Sequence, residues 1–123
     1  MNLTFNLGAI ARKFASEGYI ACVVRRKKES LSNLVQAIEG NGGRCVAYGC
    51  DARDEDQVVS LVRDIETNIG EIHFACHNIG ANVNFPIVET TSRVYRKVWE
   101  MAAFSAFLVG REVATVMLPR KQG

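Results

Sequence analysis

Apolar positions along the 123 residues change period several times, and each change marks an element. From Gly8 to Glu17, Ile10 and Phe14 lie four apart with Ala11 and Ala15 beside them, which makes one helical face closed by Gly18. Tyr19 to Val24 follows as an unbroken apolar run, the pattern of a strand covered on both faces, as in parallel sheets. Leu31, Leu34, Val35 and Ile38 then recur at helical spacing, and Gly40, Gly42 and Gly43 end that stretch. Arg44 to Gly49 is predicted as a second strand. Asp54, with Gln57 three residues later, opens a helix whose stripe is Val58, Leu61, Val62, Ile65 and Ile69, ended by Gly70. Ile72 to Cys76 is predicted as a third strand, running into His77-Asn78-Ile79-Gly80. Past Pro86, a helical stretch from about Thr91 to Met117 is apolar around much of its circumference and needs cover on more than one side.

Strands alternating with helices of this length predict an α/β fold, a parallel sheet joined by helical crossovers with helices on both faces. A chain of this length, 48% hydrophobic, supports one compact domain over residues 1–123 and no second one. A net charge of +2 is too small to point to nucleic acid or a membrane surface, so a basic role must come from the cluster Arg25-Arg26-Lys27-Lys28. Cys22, Cys45, Cys50 and Cys76 form no C-x-x-C pair and no zinc-finger spacing with histidine. They are expected to be reduced core residues in a cytosol-like compartment, with no metal site. No basic-then-apolar leader precedes Gly8, and no unbroken apolar run approaches the roughly 20 residues of a membrane helix. A soluble, cytoplasmic chain is expected.

In an open parallel sheet, ligands sit beyond the carboxyl ends of the strands, so Arg25 and Arg26, Cys50 and Asp51, and His77 to Gly80 are the residues to inspect. Together with Gly8 they resemble the cofactor half of the short-chain dehydrogenase/reductase family, over about Asn6 to Gly123. The resemblance implies an incomplete Rossmann-like doubly wound sheet, without its first strand and without everything after the fourth helix. Asn6-Leu7-Gly8-Ala9-Ile10-Ala11 resembles the end of the family's glycine-rich turn, with Gly8 as its last glycine and Asn6 in place of the middle one. Gly8 is open between a place beneath the pyrophosphate and a plain packing or capping role. Arg25 and Arg26 stand where the family binds a ribose hydroxyl with an acid or a 2′-phosphate with a base, which implies NADP in preference to NAD. Asp51 resembles the first carboxylate of Asp-x-x-Asp, which holds the adenine amino group, while Asp54 reads as a cap. Asn78 and Gly80 resemble parts of Asn-Asn-Ala-Gly, which lies against the ribose; His77 and Ile79 depart from it, and His77 reads as hydrogen-bonded structure.

The family's Ser and Tyr-x-x-x-Lys would lie beyond Gly123, and Ala102 stands where a relay Asn is expected. No catalytic residue is therefore assigned. The reading is a fragment of an NADP-dependent oxidoreductase, inactive as given and poor at holding cofactor. In strand order 3-2-1-4-5-6 the missing first strand would lie between those ending at Val24 and Cys76, a gap that Met1 to Phe5 fills at best in part. Two alternatives stand beside it. One is a nucleotide-binding module without chemistry. The other is an interaction protein that joins a full-length relative, or a second copy, through the helix around Thr91 to Met117. There Tyr95, Trp99, Phe104, Phe107 and Met117 are otherwise expected to pack on the local sheet.

Overall fold

The structure, a computed structural model, describes residues 3–81 and 83–123. Its first helix, α1, is Leu3–Ser16. Gly18 stops it at φ +94°, a left-handed conformation that costs a side-chain-bearing residue far more. Strand β1, Ile20–Arg25, leads through a 3-10 turn at Lys28–Leu31 into α2, Ser32–Glu39, and β2 is Arg44–Gly49. The two strands pair in parallel, Ile20 opposite Arg44 through Arg25 opposite Gly49. Alternation along β1 sends Ala21 and Val23 to one face, where they join Ala11, Ala15, Leu31, Ile38 and Cys45 in a buried cluster beneath α1 and α2.

On the other face, α3 (Glu55–Asp64) continues through a π-helical turn at Ile65–Ile69 and stops at Gly70. A long helix then covers this side: α4, Ser92–Trp99, a π turn at Glu100–Phe104, and α5, Ser105–Arg120. Cys50, Val58 and Leu108 form the second cluster, with Val24, Leu61 and Phe104 packed around it. Helices on both faces of a parallel sheet give the expected α/β class, and the sheet has two strands among the described residues.

Five expectations are corrected. Ile72 to Cys76 is not a strand, because no described segment lies beside it to complete a ladder. Side chains meet part of the need: Glu66 Oε1 accepts from the Ile72 N–H at 2.7 Å, and Arg120 Nη2 donates to the Ile72 carbonyl at 3.0 Å. Leu3 to Phe5 belong to α1 and so supply no strand, while Met1 and Asn2 lie outside the described residues. Cys45 and Cys50 are buried as expected, but Cys76, on the unpaired segment, is exposed; all four cysteines are free thiols. On the long helix, Phe104 is half-buried, yet Tyr95, Trp99 and Phe107 are exposed, because the two-stranded sheet is too narrow to cover them. That helix, 29 residues with an 18-residue window of mean hydropathy 1.5, is also long and apolar enough to cross a membrane, contrary to the run-based expectation.

Tyr48 on β2 donates to Asp64 Oδ2 at 2.9 Å. Burial first, and this bond second, push its phenol up to about 12. The protonated phenol is what the fold favours, so its contribution is whole below pH ~10 and is lost as pH rises toward 12. Phenolate absorbance is expected to show one tyrosine titrating well above the rest, absent in Tyr48→Phe. A single transition shared by all the tyrosines would refute this.

Candidate cofactor edge

The carboxyl ends of β1 and β2 lie side by side: Arg25 is opposite Gly49, and the Cys50 N–H donates to the Arg25 carbonyl at 2.9 Å. Arg25 is half-buried and Arg26 exposed, at the start of a basic turn that closes over Gly49. A Cβ on Gly49 would come within 3.7 Å of the Arg26 carbonyl and 3.5 Å of Lys28 Cβ. Those are ordinary van der Waals distances, so the turn packs against β2 at this glycine. No Asp or Glu stands at the end of β1. Lys27 and Lys28 enter a 3-10 turn, and α2 begins only at Ser32, so their charges lie ahead of its first turn.

Asp51 follows β2 and is held by Arg53. Arg53 donates to Oδ1 from its backbone N–H at 3.1 Å and from Nε at 2.9 Å, and to Oδ2 from Nη2 at 2.6 Å. These bonds, with the nearby positive charge of Arg26, lower the Asp51 carboxyl to about 2. Asp54 caps α3 as expected, accepting from the Gln57 N–H at 3.1 Å. Gln57 reaches back, so that its Oε1 accepts from the Asp51 N–H at 2.9 Å. Arg53 and Gln57 are site residues that sequence reasoning missed. The available signals were an Arg two residues past the strand-end Asp and a Gln in the first turn of the helix after it.

Gly8 departs from its expected place. It lies inside α1, with five residues of helix ahead of it, and is buried where a Cβ would come within 3.7 Å of Leu34 of α2. It therefore serves helix packing, and Asn6 is likewise helical backbone rather than part of a turn. Asn78 and Gly80 lie on the unpaired segment, both half-buried. The Asn78 side-chain NH₂ is shielded from water and has no partner among the described residues. His77 is anchored: its Nε2 lies 2.9 Å from Ser105 Oγ, and that hydroxyl donates to the Met101 carbonyl at 2.6 Å. The serine's one proton is committed to an acceptor, so Nε2 carries the proton of a neutral imidazole. Burial lowers the His77 pKa, consistent with that form.

A parallel strand pair flanked by helices, with a basic turn and a carboxylate at its carboxyl edge, is part of the architecture of a nucleotide-binding βαβαβ half. The family model described as enoyl-(acyl carrier protein) reductase matches residues 8–123. A short-chain dehydrogenase from Rhodopseudomonas palustris is 48% identical, with a TM-score of 0.89 over 94% of this chain and 54% of its own. A fatty acyl-CoA reductase of Mycobacterium tuberculosis is 28% identical over 95% of this chain and 41% of its own length. A metagenomic short-chain oxidoreductase solved in complex with NADP is 22% identical, with a TM-score of 0.88 over 94% of this chain and 53% of its own. The chain belongs to the short-chain dehydrogenase/reductase family. It spans about two-fifths of the length of the curated relatives it matches.

Proposed function

We propose that these residues form the nucleotide-holding half of an oxidoreductase that moves a hydride between NADP(H) and a carbonyl or alcohol. The observation that carries the reading is the strand edge where Arg25 and Arg26 stand beside Asp51 with no acid at the end of β1. An NAD ribose would find no carboxylate there to hold its hydroxyls, whereas a 2′-phosphate would find two guanidinium groups. The NADP bound by one structure of this fold is in keeping with that choice. Asp51 would meet the adenine amino group, and the shielded NH₂ of Asn78 is a donor in want of an acceptor near the ribose segment.

The pyrophosphate end does not fit these residues. Gly8 is packed against α2 instead of opening a turn, so no ring of backbone N–H donors forms around it among the described residues. NADP supplies the hydride when bound; the part of this chain is to grip the adenosine end. No Tyr in the sequence is followed four residues later by Lys, and Ala102 stands at the relay position, so no catalytic role is assigned to these residues.

Adenosine 2′,5′-bisphosphate differs from 5′-AMP only in the 2′-phosphate that this edge would grip. At about 0.15 M salt it is expected to bind about tenfold more tightly than 5′-AMP, a difference of about 1.4 kcal/mol. Arg26→Glu should abolish that preference, while Lys13→Glu, a charge reversal on α1, should leave it in place. Titrations in which wild type holds both nucleotides equally, or in which Arg26→Glu keeps the preference, would remove the NADP assignment.

A further inference from the structure

We propose that Arg53 is a positioning residue for base recognition: it occupies three acceptor places of Asp51 and leaves one, on Oδ2, for an exocyclic amino group. This rests on the nucleotide reading above and goes beyond it by naming what fixes the base.

An ionised carboxylate offers about four acceptor places. The backbone N–H and Nε of Arg53 both bond to Oδ1, at 3.1 and 2.9 Å, which fills that oxygen. Nη2 takes one place on Oδ2 at 2.6 Å, so one remains. The paired fork also fixes the plane of the carboxylate, which a lysine could not do. The backbone of Asp51 is equally fixed, since its N–H donates to Gln57 Oε1 at 2.9 Å and Gln57 Nε2 donates to Asp54 Oδ2 at 2.9 Å. The side chains of Asp51 and Arg53 are each 29% exposed, enough for a ligand to touch and too little for either to swing freely.

The pairing serves a second need. A bare carboxylate beside Arg25 and Arg26 would repel the phosphate those arginines are proposed to hold. With Arg53 across it, Asp51 keeps an acceptor for the base while its charge is balanced, and the edge stays cationic. Acceptor and phosphate grip can then coexist on adjacent strand ends.

The test compares adenosine 2′,5′-bisphosphate with its 1,N6-etheno derivative, which has no N–H on the exocyclic nitrogen. Both are titrated into the 123-residue wild type, Arg53→Ala, Arg53→Lys and Asp51→Asn. Wild type is expected to prefer the amino-bearing ligand about fivefold, the worth of one ordinary hydrogen bond. Arg53→Ala and Asp51→Asn should bring the ratio close to one. Arg53→Lys keeps the charge and guards against misfolding, and it should lose most of the preference as well, with an unchanged circular dichroism spectrum. Equal weakening of both ligands in a folded Arg53 variant, with the ratio retained, would mean that Arg53 merely props the loop and would overturn the proposal. Wild type that binds both ligands equally would overturn it too. The 5′-AMP comparison reports separately on the wider reading, because it depends on the 2′-phosphate and not on the base. If wild type holds no nucleotide at all, both ideas fall together.

Discussion

Leu108→Ala is expected to destabilise the fold by about 2–5 kcal/mol, the cost of emptying a buried leucine site that cannot collapse. Leu108 is 1% exposed and meets Val58, itself fully buried, and Cys50. This cluster is where α5 is seated on α3 and on the end of β2. The ion pairs Arg111–Glu55 and Arg120–Glu66 also link α5 to α3 and the turn after it, but the first is largely exposed and such pairs contribute little. A domain of this size has only about 5–15 kcal/mol in all, so the loss would remove a large share of it. Urea unfolding followed by Trp99 fluorescence measures the change. Leu118→Ala on the same helix is the control: Leu118 is 73% exposed, and its loss should cost less than about 0.5 kcal/mol. Equal effects from the two substitutions would show that α5 is not docked through Leu108.

The contrast between β2 and the segment after Gly70 shows what patterning can reveal. Arg44 to Gly49 was legible because glycine stands before it and Cys50-Asp51 after it, and β1 lies beside it to make the strand real. Ile72 to Cys76 has the same apolar character and forms no strand. A strand is a paired state, and residue order says which segments want a partner without saying that one is there. The same shortage explains the long helix. Its apolar circumference was visible in sequence, and so was its need for cover, but a two-stranded sheet leaves Tyr95, Trp99 and Phe107 exposed.

The adjacency of Arg25, Arg26 and Asp51 was legible because neighbouring strands of a parallel sheet end on the same side. Gly8 was misplaced by motif likeness: α1 starts earlier than the motif implies, so the glycine meets Leu34 instead of standing at a helix start. Arg53 was hidden because its partner lies two residues away, a spacing that no helical or strand period flags. The π turn at Glu100–Phe104 was hidden too, since one extra residue in a turn scarcely disturbs a 3.6-residue pattern. Ser105, polar between Phe104 and Ala106, was the available clue.

That serine is the site of the second large effect. The π turn diverts the Ser105 N–H to the Glu100 carbonyl, so the Met101 carbonyl loses its usual helical donor and takes the Ser105 hydroxyl instead. The same oxygen accepts from His77, and Ser105 is fully buried. Ser105→Ala therefore strands two polar groups at once, and at about 1–3 kcal/mol each the expected loss is about 2–6 kcal/mol. Adding His77→Phe removes one stranded donor, so the double variant should be less destabilised than the sum of the single ones. Strict additivity would show that the two side chains are not coupled. The imidazole adds a pH signature. Its pKa is lowered in the fold, so its contribution is whole above the ordinary histidine value of ~6.5 and is lost as acid protonates the unfolded chain first. Wild-type stability should decline as pH falls below that value, and His77→Phe should flatten this part of the profile. A profile of equal slope in the two proteins would mean that another group, and not the histidine bonded to Ser105, sets the acid response.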